Sequence, residues 1–204
     1  MSSARTFAAQ VFSKPRSSEG LAWDVLRVAA SNLLLILCAQ IAVPLPFTPV
    51  PVTGQTFGVM LIAVAFGARR GAIAAALYLL EGAAGLPVFQ PYGAPGAARL
   101  LGPTAGYLWS YPGAVYVTGW LAEHVASFNP AAAAKTQWRR MLLLTGTLLP
   151  GQFLIFACGC AWLATTRGWA AAIALGVLPF IPGEVIKIAA VLAVTRTTET
   201  ATQP

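Results

Sequence analysis

Two ionisable residues near the C-terminal end of the chain are the strongest candidates for chemistry. Glu184 and Lys187 lie in a mostly apolar segment, Pro179-Phe-Ile-Pro-Gly-Glu-Val-Ile-Lys187. A spacing of three residues places both side chains on one face of a helix. Ionisable groups inside a membrane are costly, and they usually face a cavity or one another. The pair is therefore interpreted as a ligand contact or as a structural ion pair, and a ligand that bridges the two charges would satisfy both interpretations.

Three other polar residues are candidates for binding. Glu81 ends an apolar run, so its carboxylate is either an interfacial group in water or part of a cavity wall. Thr53 and Gln55 follow a proline-rich segment whose backbone is stiff. The amide of Gln55 offers both donors and an acceptor, so this loop either caps a small ligand or is an ordinary polar loop.

Aromatic side chains gather near the predicted outer boundary of the membrane. They are Phe89, Tyr92, Tyr107, Trp109 and Tyr111. Such a cluster is typical of an interfacial aromatic belt, and it is equally typical of a pocket for a small molecule. Phe89 and Tyr107 are the two that we take as candidate ligand contacts.

Catalytic chemistry finds little support in the sequence. The one histidine, His124, lies next to Glu123 in a polar stretch, and Cys38, Cys158 and Cys160 fall within apolar runs without zinc-site spacing. No nucleotide-cradling loop or paired carboxylates are found. The sequence therefore predicts a protein that is not an enzyme and needs no cofactor or metal, so any ATP hydrolysis must come from a partner.

The composition places these residues in a membrane. Of the 204 residues, 57% are hydrophobic and 9% are charged, against about 25% charged in a typical soluble domain. The formal net charge of +7 does not indicate nucleic-acid binding, because Lys and Arg are not clustered on one surface but fall in the gaps between apolar runs. We expect the lipid bilayer to surround much of the chain.

Six apolar segments predict an all-α integral membrane protein with six transmembrane helices. A cytoplasmic tail (1–24) precedes a membrane domain (25–196), and a second cytoplasmic tail (197–204) follows it. The predicted spans are 25–43, 56–68, 71–85, 104–121, 141–164 and 169–194. The last is predicted to be broken at Pro179–Pro182 and to resume as a helix at Gly183. Non-helical backbone at membrane depth is tolerated where it lines a cavity, so this break is itself a site candidate.

The distribution of positive charge predicts the orientation. With both termini in the cytoplasm, inside segments hold Arg5, Lys14, Arg16, Arg27, Arg69, Arg70, Lys135, Arg139, Arg140 and Arg196, whereas outside segments hold Arg99 and Arg167. Cytoplasmic loops of membrane proteins carry the excess of Lys and Arg. This bias supports an even number of spans.

Four segments of the chain are distinctive. They are Pro49-Val-Pro-Val-Thr-Gly-Gln55, Gly82-Ala-Ala-Gly-Leu-Pro-Val-Phe89, Leu101-Gly-Pro-Thr-Ala-Gly-Tyr107 and Pro179-Phe-Ile-Pro-Gly-Glu-Val-Ile-Lys187. All four resemble segments of the BioY family, the biotin-binding S components of energy-coupling factor (ECF) transporters. They keep the family order, and the resemblance covers about 26–194. Each is weak alone, since Gly and Pro make up much of it, but four in order are specific.

The resemblance implies a six-helix protein of the bacterial cytoplasmic (inner) membrane that binds biotin near the outer face. It implies as partners a transmembrane coupling subunit and two ATPase subunits. Glu184, Lys187, Gln55, Thr53, Phe89, Tyr107 and Glu81 would be the biotin contacts. The sequence departs from the family pattern where Glu184 stands in place of the usual Asp, and in lacking an Asn that some members carry in the loop after Pro-Val-Phe.

Other functions stay open at this stage. The chain could be an S component for another small vitamin, a membrane enzyme that acts on lipid, or a structural membrane subunit. A lipid-acting enzyme would need a set of catalytic residues at the membrane interface, and the sequence shows no such set. A broken helix that carries Glu and Lys argues against a purely structural subunit, because charged residues within the membrane are costly.

Overall fold

The computed structural model describes residues 18–128 and 137–200 of the chain. Its described part is mainly helical. The helices are α1 (Ser18–Gln40), α2 (Gln55–Phe66), α3 (Ala68–Ala83), α4 (Ala105–Phe128), α5 (Gln137–Arg167), α6 (Trp169–Gly176) and α7 (Ile181–Thr200). Short 3-10 helices cover Gly96–Leu101 and Leu178–Phe180. The predicted inside charges Arg5, Lys14, Arg16 and Lys135 lie outside the described residues.

Three segments within the described part are long and apolar enough to cross a membrane. They are Gly20–Gln40, Met141–Arg167 and Trp169–Arg196, and α2 is a shorter apolar helix. Leu, Ile, Val, Phe and Trp side chains lie exposed along these segments, for example Phe153 at 75% and Ile186 at 70%. Apolar surface of this extent is compatible with lipid rather than with water. The prediction of an all-helical membrane protein is supported at this level.

The proline-rich segment forms the loop of a small hairpin, which the sequence did not predict. Strands β1 (Ala42–Val43) and β2 (Val52–Thr53) pair antiparallel through Ala42 with Thr53 and Val43 with Val52. The prolines between the strands cannot donate backbone hydrogen bonds, so the loop cannot continue α1 as a helix. The hairpin brings the start of α2 back beside the end of α1.

The junction of α2 and α3 differs from the predicted one. We expected Arg69 and Arg70 to end the second span, but α2 ends at Phe66 and both arginines lie in the first turn of α3. Gly67 makes the break, with φ of 85°, a backbone conformation that costs glycine little. Arg70 forms an ion pair of 2.7 Å with Asp24 of α1.

The predicted break in the last region is confirmed. Helix α6 ends at Gly176, the 3-10 turn containing Pro179 follows, and α7 begins at Ile181, two residues before the predicted Gly183. The helix starts earlier because Pro182 falls in its first turn, where no intrahelical donor is needed. Glu184 also lies in this first turn.

Glycines bring α4 and α5 into close contact. A Cβ atom at Gly106 would lie 2.4 Å from the carbonyl oxygen of Cys158, and one at Gly151 would lie 2.0 Å from the hydroxyl of Thr118. Small residues at such positions let membrane helices approach backbone to backbone. This packing sets the spacing of two helices that line the site.

Candidate functional site

A cavity opens where the hairpin meets α2, α4, α5 and α7. It contains about 550 Å³ of space free of protein atoms, including its open mouth. Of the seven candidate residues, six line it: Thr53, Gln55, Phe89, Tyr107, Glu184 and Lys187.

The charged pair is joined into a triad by a residue that sequence reasoning missed. Lys187 Nζ donates to Glu184 Oε1 at 2.7 Å and to Thr56 Oγ1 at 2.8 Å. Thr56 in turn donates to Glu184 Oε1 at 2.9 Å. Glu184 is 7% exposed, so this pair is desolvated on one side and needs these partners.

A second missed residue reaches the triad from α5. The side-chain amide of Gln152 donates through Nε2 to Glu184 Oε2. Gln152 is buried. A polar amide within an otherwise apolar predicted span is the sequence signal that could have identified it.

The triad leaves one acceptor position and one donor unused. A carboxylate has about four acceptor positions, and three on Glu184 are taken, which leaves one on Oε2. An ammonium group has three donors, and Lys187 uses two of them. Glu184 therefore keeps one acceptor position and Lys187 keeps one donor, and both residues line the cavity.

Gln55 lines the cavity with its amide held at both ends. Its Oε1 accepts from the Thr53 hydroxyl at 3.1 Å, and its Nε2 donates to the Tyr78 hydroxyl at 2.6 Å. Tyr78 is fully buried, and it packs edge to face on Phe89 with ring centroids 5.3 Å apart. These contacts fix the wall formed by α2, α3 and the loop that carries Phe89.

Tyr107 is fixed in the opposite part of the wall. Its hydroxyl donates to the carbonyl of Gly176 at 2.7 Å, at the end of α6. A Cβ atom at Gly159 would lie 2.2 Å from the Tyr107 ring. The bond to Gly176 ties α4 to the break between α6 and α7, which is the break that carries Glu184.

Arg99 brings a third charge to the cavity. Its guanidinium donates to the carbonyls of Gln90, Tyr92 and Ala94. The residue is 6% exposed, and burial lowers the pKa of its guanidinium, although arginine stays protonated in proteins. The sequence predicts Arg99 only as an outer loop charge, and the structure adds it to the lining of the cavity.

A second cavity adjoins the first. It lies between the proline-rich loop and the loop around Arg99, and it also contains about 550 Å³ including its mouth. Pro51, Gln90, Arg99 and Thr104 line both cavities, whereas Glu184 and Lys187 line the first one. Arg99 and Gln90 therefore mark the side of the site that faces the loops.

The structure does not bring Glu81 to this site. Its carboxylate accepts from the side-chain amide of Asn32 at 3.0 Å, and it is not among the residues that line the cavity. Asn32 also donates to the carbonyl of Ala74 at 3.4 Å. Glu81 thus links α3 to α1, because its side chain points to the face of α3 that packs on α1.

Comparison with known proteins identifies the family. The profile of the BioY family matches residues 9–203. The biotin transporter BioY of Rhizobium etli is 36% identical over 80% of this chain and 85% of its own length. The chain belongs to the BioY family. The biotin transporter BioY of Thermotoga maritima, 35% identical over 81% of this chain and 89% of its own, is a further relative.

A solved structure shares the fold. The crystal structure of the S-component for biotin from an ECF-type ABC transporter matches with a TM-score of 0.74 and 23% identity, over 91% of this chain and 95% of that one. The four BioY-like segments all reach the cavity here. They supply Val50, Pro51, Thr53, Gln55, Phe89, Thr104, Tyr107, Phe180, Glu184 and Lys187 to its lining.

Proposed function

We propose that this chain captures biotin for uptake, as the substrate-binding S component of an ECF transporter. The observation that carries the proposal is the pairing of one open acceptor on Glu184 with one open donor on Lys187 in a cavity that also holds Arg99. Membership of the BioY family supports biotin as the ligand.

The ureido ring of biotin fits the open acceptor on Glu184 and the open donor on Lys187. It presents an N–H group beside a carbonyl, so the N–H donates to Glu184 Oε2 while the carbonyl accepts from Lys187. Bonds to charged groups of this kind are shorter and stronger than bonds between neutral groups. Phe89 and Tyr107 supply apolar wall for the thioether ring and the tail.

Arg99 indicates the orientation of the ligand. With the ureido ring on Glu184 and Lys187, the carboxylate at the end of the valerate tail lies toward the side where the two cavities adjoin. Three N–H groups of Arg99 are used by loop carbonyls, and a guanidinium has five. Two therefore remain for the carboxylate, and a guanidinium suits a carboxylate geometrically.

The proposal also covers topology and partners. Six spans with both termini in the cytoplasm agree with the charge distribution, and the ligand then enters from the outer face of the bacterial cytoplasmic membrane. The chain itself performs no chemistry. ATP hydrolysis is assigned to two ATPase subunits that act through a transmembrane coupling subunit.

Titration calorimetry on the purified chain in detergent tests the proposal. We expect saturable binding of biotin at about one ligand per chain. Folded protein that gives no binding with biotin up to millimolar concentration would overturn it. Saturable binding of another small vitamin in place of biotin would favour an S component of different specificity.

The same measurement with two ligands tests the orientation. Arg99→Met should weaken binding of biotin but leave binding of its primary carboxamide nearly unchanged, because the amide carries no charge for Arg99 to neutralise. Equal losses for both ligands would contradict the assigned orientation without affecting the proposed function.

A further inference from the structure

We propose that Gln152 is a positioning residue, which holds the Glu184 carboxylate in the orientation that accepts the ligand. The inference rests on the proposed function, since it concerns how the same site keeps its acceptor available. Gln152 lies on α5, one turn before the cavity-lining residues Ile155 and Phe156. It acts on the ligand through Glu184, because the lining of the cavity includes Glu184 but not Gln152.

Glu184 needs such a partner because of how its two oxygens are used. Oε1 accepts from Lys187 and Thr56, whereas Oε2 accepts from Gln152. A glutamate side chain has three torsions, and the bonds to Oε1 leave rotation about the last one loosely restrained. The bond from Gln152 fixes the plane of the carboxylate and with it the direction of the open position on Oε2.

The orientation of the Gln152 amide is set by its partner. If the amide were turned over, its carbonyl oxygen would face the carboxylate, and the two acceptors would repel one another. Nε2 must therefore point to Glu184. This leaves Oε1 buried, without a hydrogen-bond partner among the residues that the structure describes.

That unpaired oxygen argues against a purely structural role. A buried polar atom without a partner destabilises the fold. A residue chosen for packing would not carry this cost. What the amide provides that methionine does not is a donor aimed at Glu184.

The backbone next to Gln152 is held firmly enough for positioning. Gly151 packs directly on α4, where a Cβ atom would meet the Thr118 hydroxyl at 2.0 Å. The distance between α5 and α4 is therefore set by contact one residue from Gln152. A side chain placed on such a support can orient its partner.

The test compares Gln152→Met with a matched variant on the same helix. Thr147 is also a buried polar residue of α5, but its hydroxyl donates to the carbonyl of Leu144 in its own helix. Thr147→Val is therefore the control. Biotin affinity and the melting temperature of the ligand-free protein are measured on the same samples, with Gln152→Asn as a second variant that keeps the amide but is one methylene too short.

We expect Gln152→Met and Gln152→Asn to weaken biotin binding roughly tenfold or more. The melting temperature of Gln152→Met should fall, because the buried Glu184 Oε2 loses its donor, and removal of the unpaired Gln152 oxygen offsets only part of that loss. Thr147→Val should bind biotin like the wild type. A purely structural role would lower the melting temperature without reducing the affinity of the folded protein for biotin.

A double-mutant cycle supplies the decisive comparison. In a Glu184→Gln background, Gln152→Met should cause little additional loss of affinity, because the group that it positions is no longer a carboxylate. Wild-type affinity in Gln152→Met, or the same loss in both backgrounds, would overturn the inference. Failure of the wild-type chain to bind biotin would instead reject the proposed function.

Discussion

At the scale of single residues, the site is a small network of charges whose members satisfy one another. Glu184, Lys187 and Thr56 form a closed triad, and Gln152 completes it from α5. The triad compensates the cost of desolvating the carboxylate when no ligand is bound. It leaves one donor and one acceptor open, so a structural ion pair and a ligand contact are two roles of the same residues.

Exchange of the two charged residues for neutral ones separates these roles. Glu184→Gln or Lys187→Met alone leaves one buried charge uncompensated, which typically costs about 3–5 kcal/mol of stability. The double variant should recover most of that loss. Its affinity for biotin should still fall roughly 10–200-fold, which corresponds to a lost charge-assisted bond of about 1.5–3 kcal/mol.

Melting temperature and biotin affinity of all three variants provide the measurement. A double variant that folds and binds biotin as tightly as the wild type would show that the pair is scaffold only. The site assignment would then be wrong, even if the chain binds biotin elsewhere in the cavity.

At the scale of elements, the interrupted last region and the glycines of α4 and α5 determine the shape of the cavity. The break between α6 and α7 exposes the Gly176 carbonyl to the Tyr107 hydroxyl and places Glu184 in the first turn of α7. Gly159 leaves room for the Tyr107 ring. The aromatic wall therefore depends on the absence of one side chain on the neighbouring helix.

Substitution of that glycine should disturb the wall. A Cβ atom at Gly159 would lie 2.2 Å from the Tyr107 ring, and the ring is held at its far end by the bond to Gly176. Gly159→Ala should therefore lower both the melting temperature and the affinity for biotin, with a stability cost of about 1–3 kcal/mol typical of overpacking.

Gly146→Ala is the matched control, because it lies on the same helix and its Cβ would meet nothing within 4 Å. It should leave binding unchanged and raise stability by up to about 1 kcal/mol through helix propensity. If Gly159→Ala behaves like Gly146→Ala, the close contact with Tyr107 does not matter for the site.

At the scale of the whole molecule, the proposed arrangement has six spans and both termini in the cytoplasm. Short or interrupted helices contribute to it, since α2 has 12 residues and the last region is divided between α6 and α7. Helices of this kind are tolerated when other helices cover their polar groups. The loop with Gly96 then lies on the outer face, on the same side as the mouth of the ligand site.

Reporter fusions test this topology directly. A reporter after Pro204 should be active in the cytoplasm, and a reporter inserted near Gly96 should be active outside, because the excess of Lys and Arg holds the inner loops in the cytoplasm. Both reporters on the same side would reject the six-span arrangement.

Removal of the charges Arg69 and Arg70 should increase the fraction of chains with inverted orientation.

Several features of this protein were predictable from the sequence because they depend on neighbours along the chain. Composition indicated the membrane, the prolines indicated the end of the first helix and the break in the last one, and a spacing of three placed Glu184 beside Lys187. The BioY resemblance, now confirmed by the family match, named six residues that line the cavity. These conclusions need no knowledge of how the helices pack.

The tertiary structure alone decided which distant residues complete the site. Thr56 meets Lys187 across 131 positions of sequence and Gln152 meets Glu184 across 32, while Glu81 turns to Asn32 and away from the cavity. A polar residue in an apolar helix has the same local pattern whichever way it faces. Its partner is set by the rotation and spacing of packed helices, which here follow from close contacts such as that of Gly151 with Thr118.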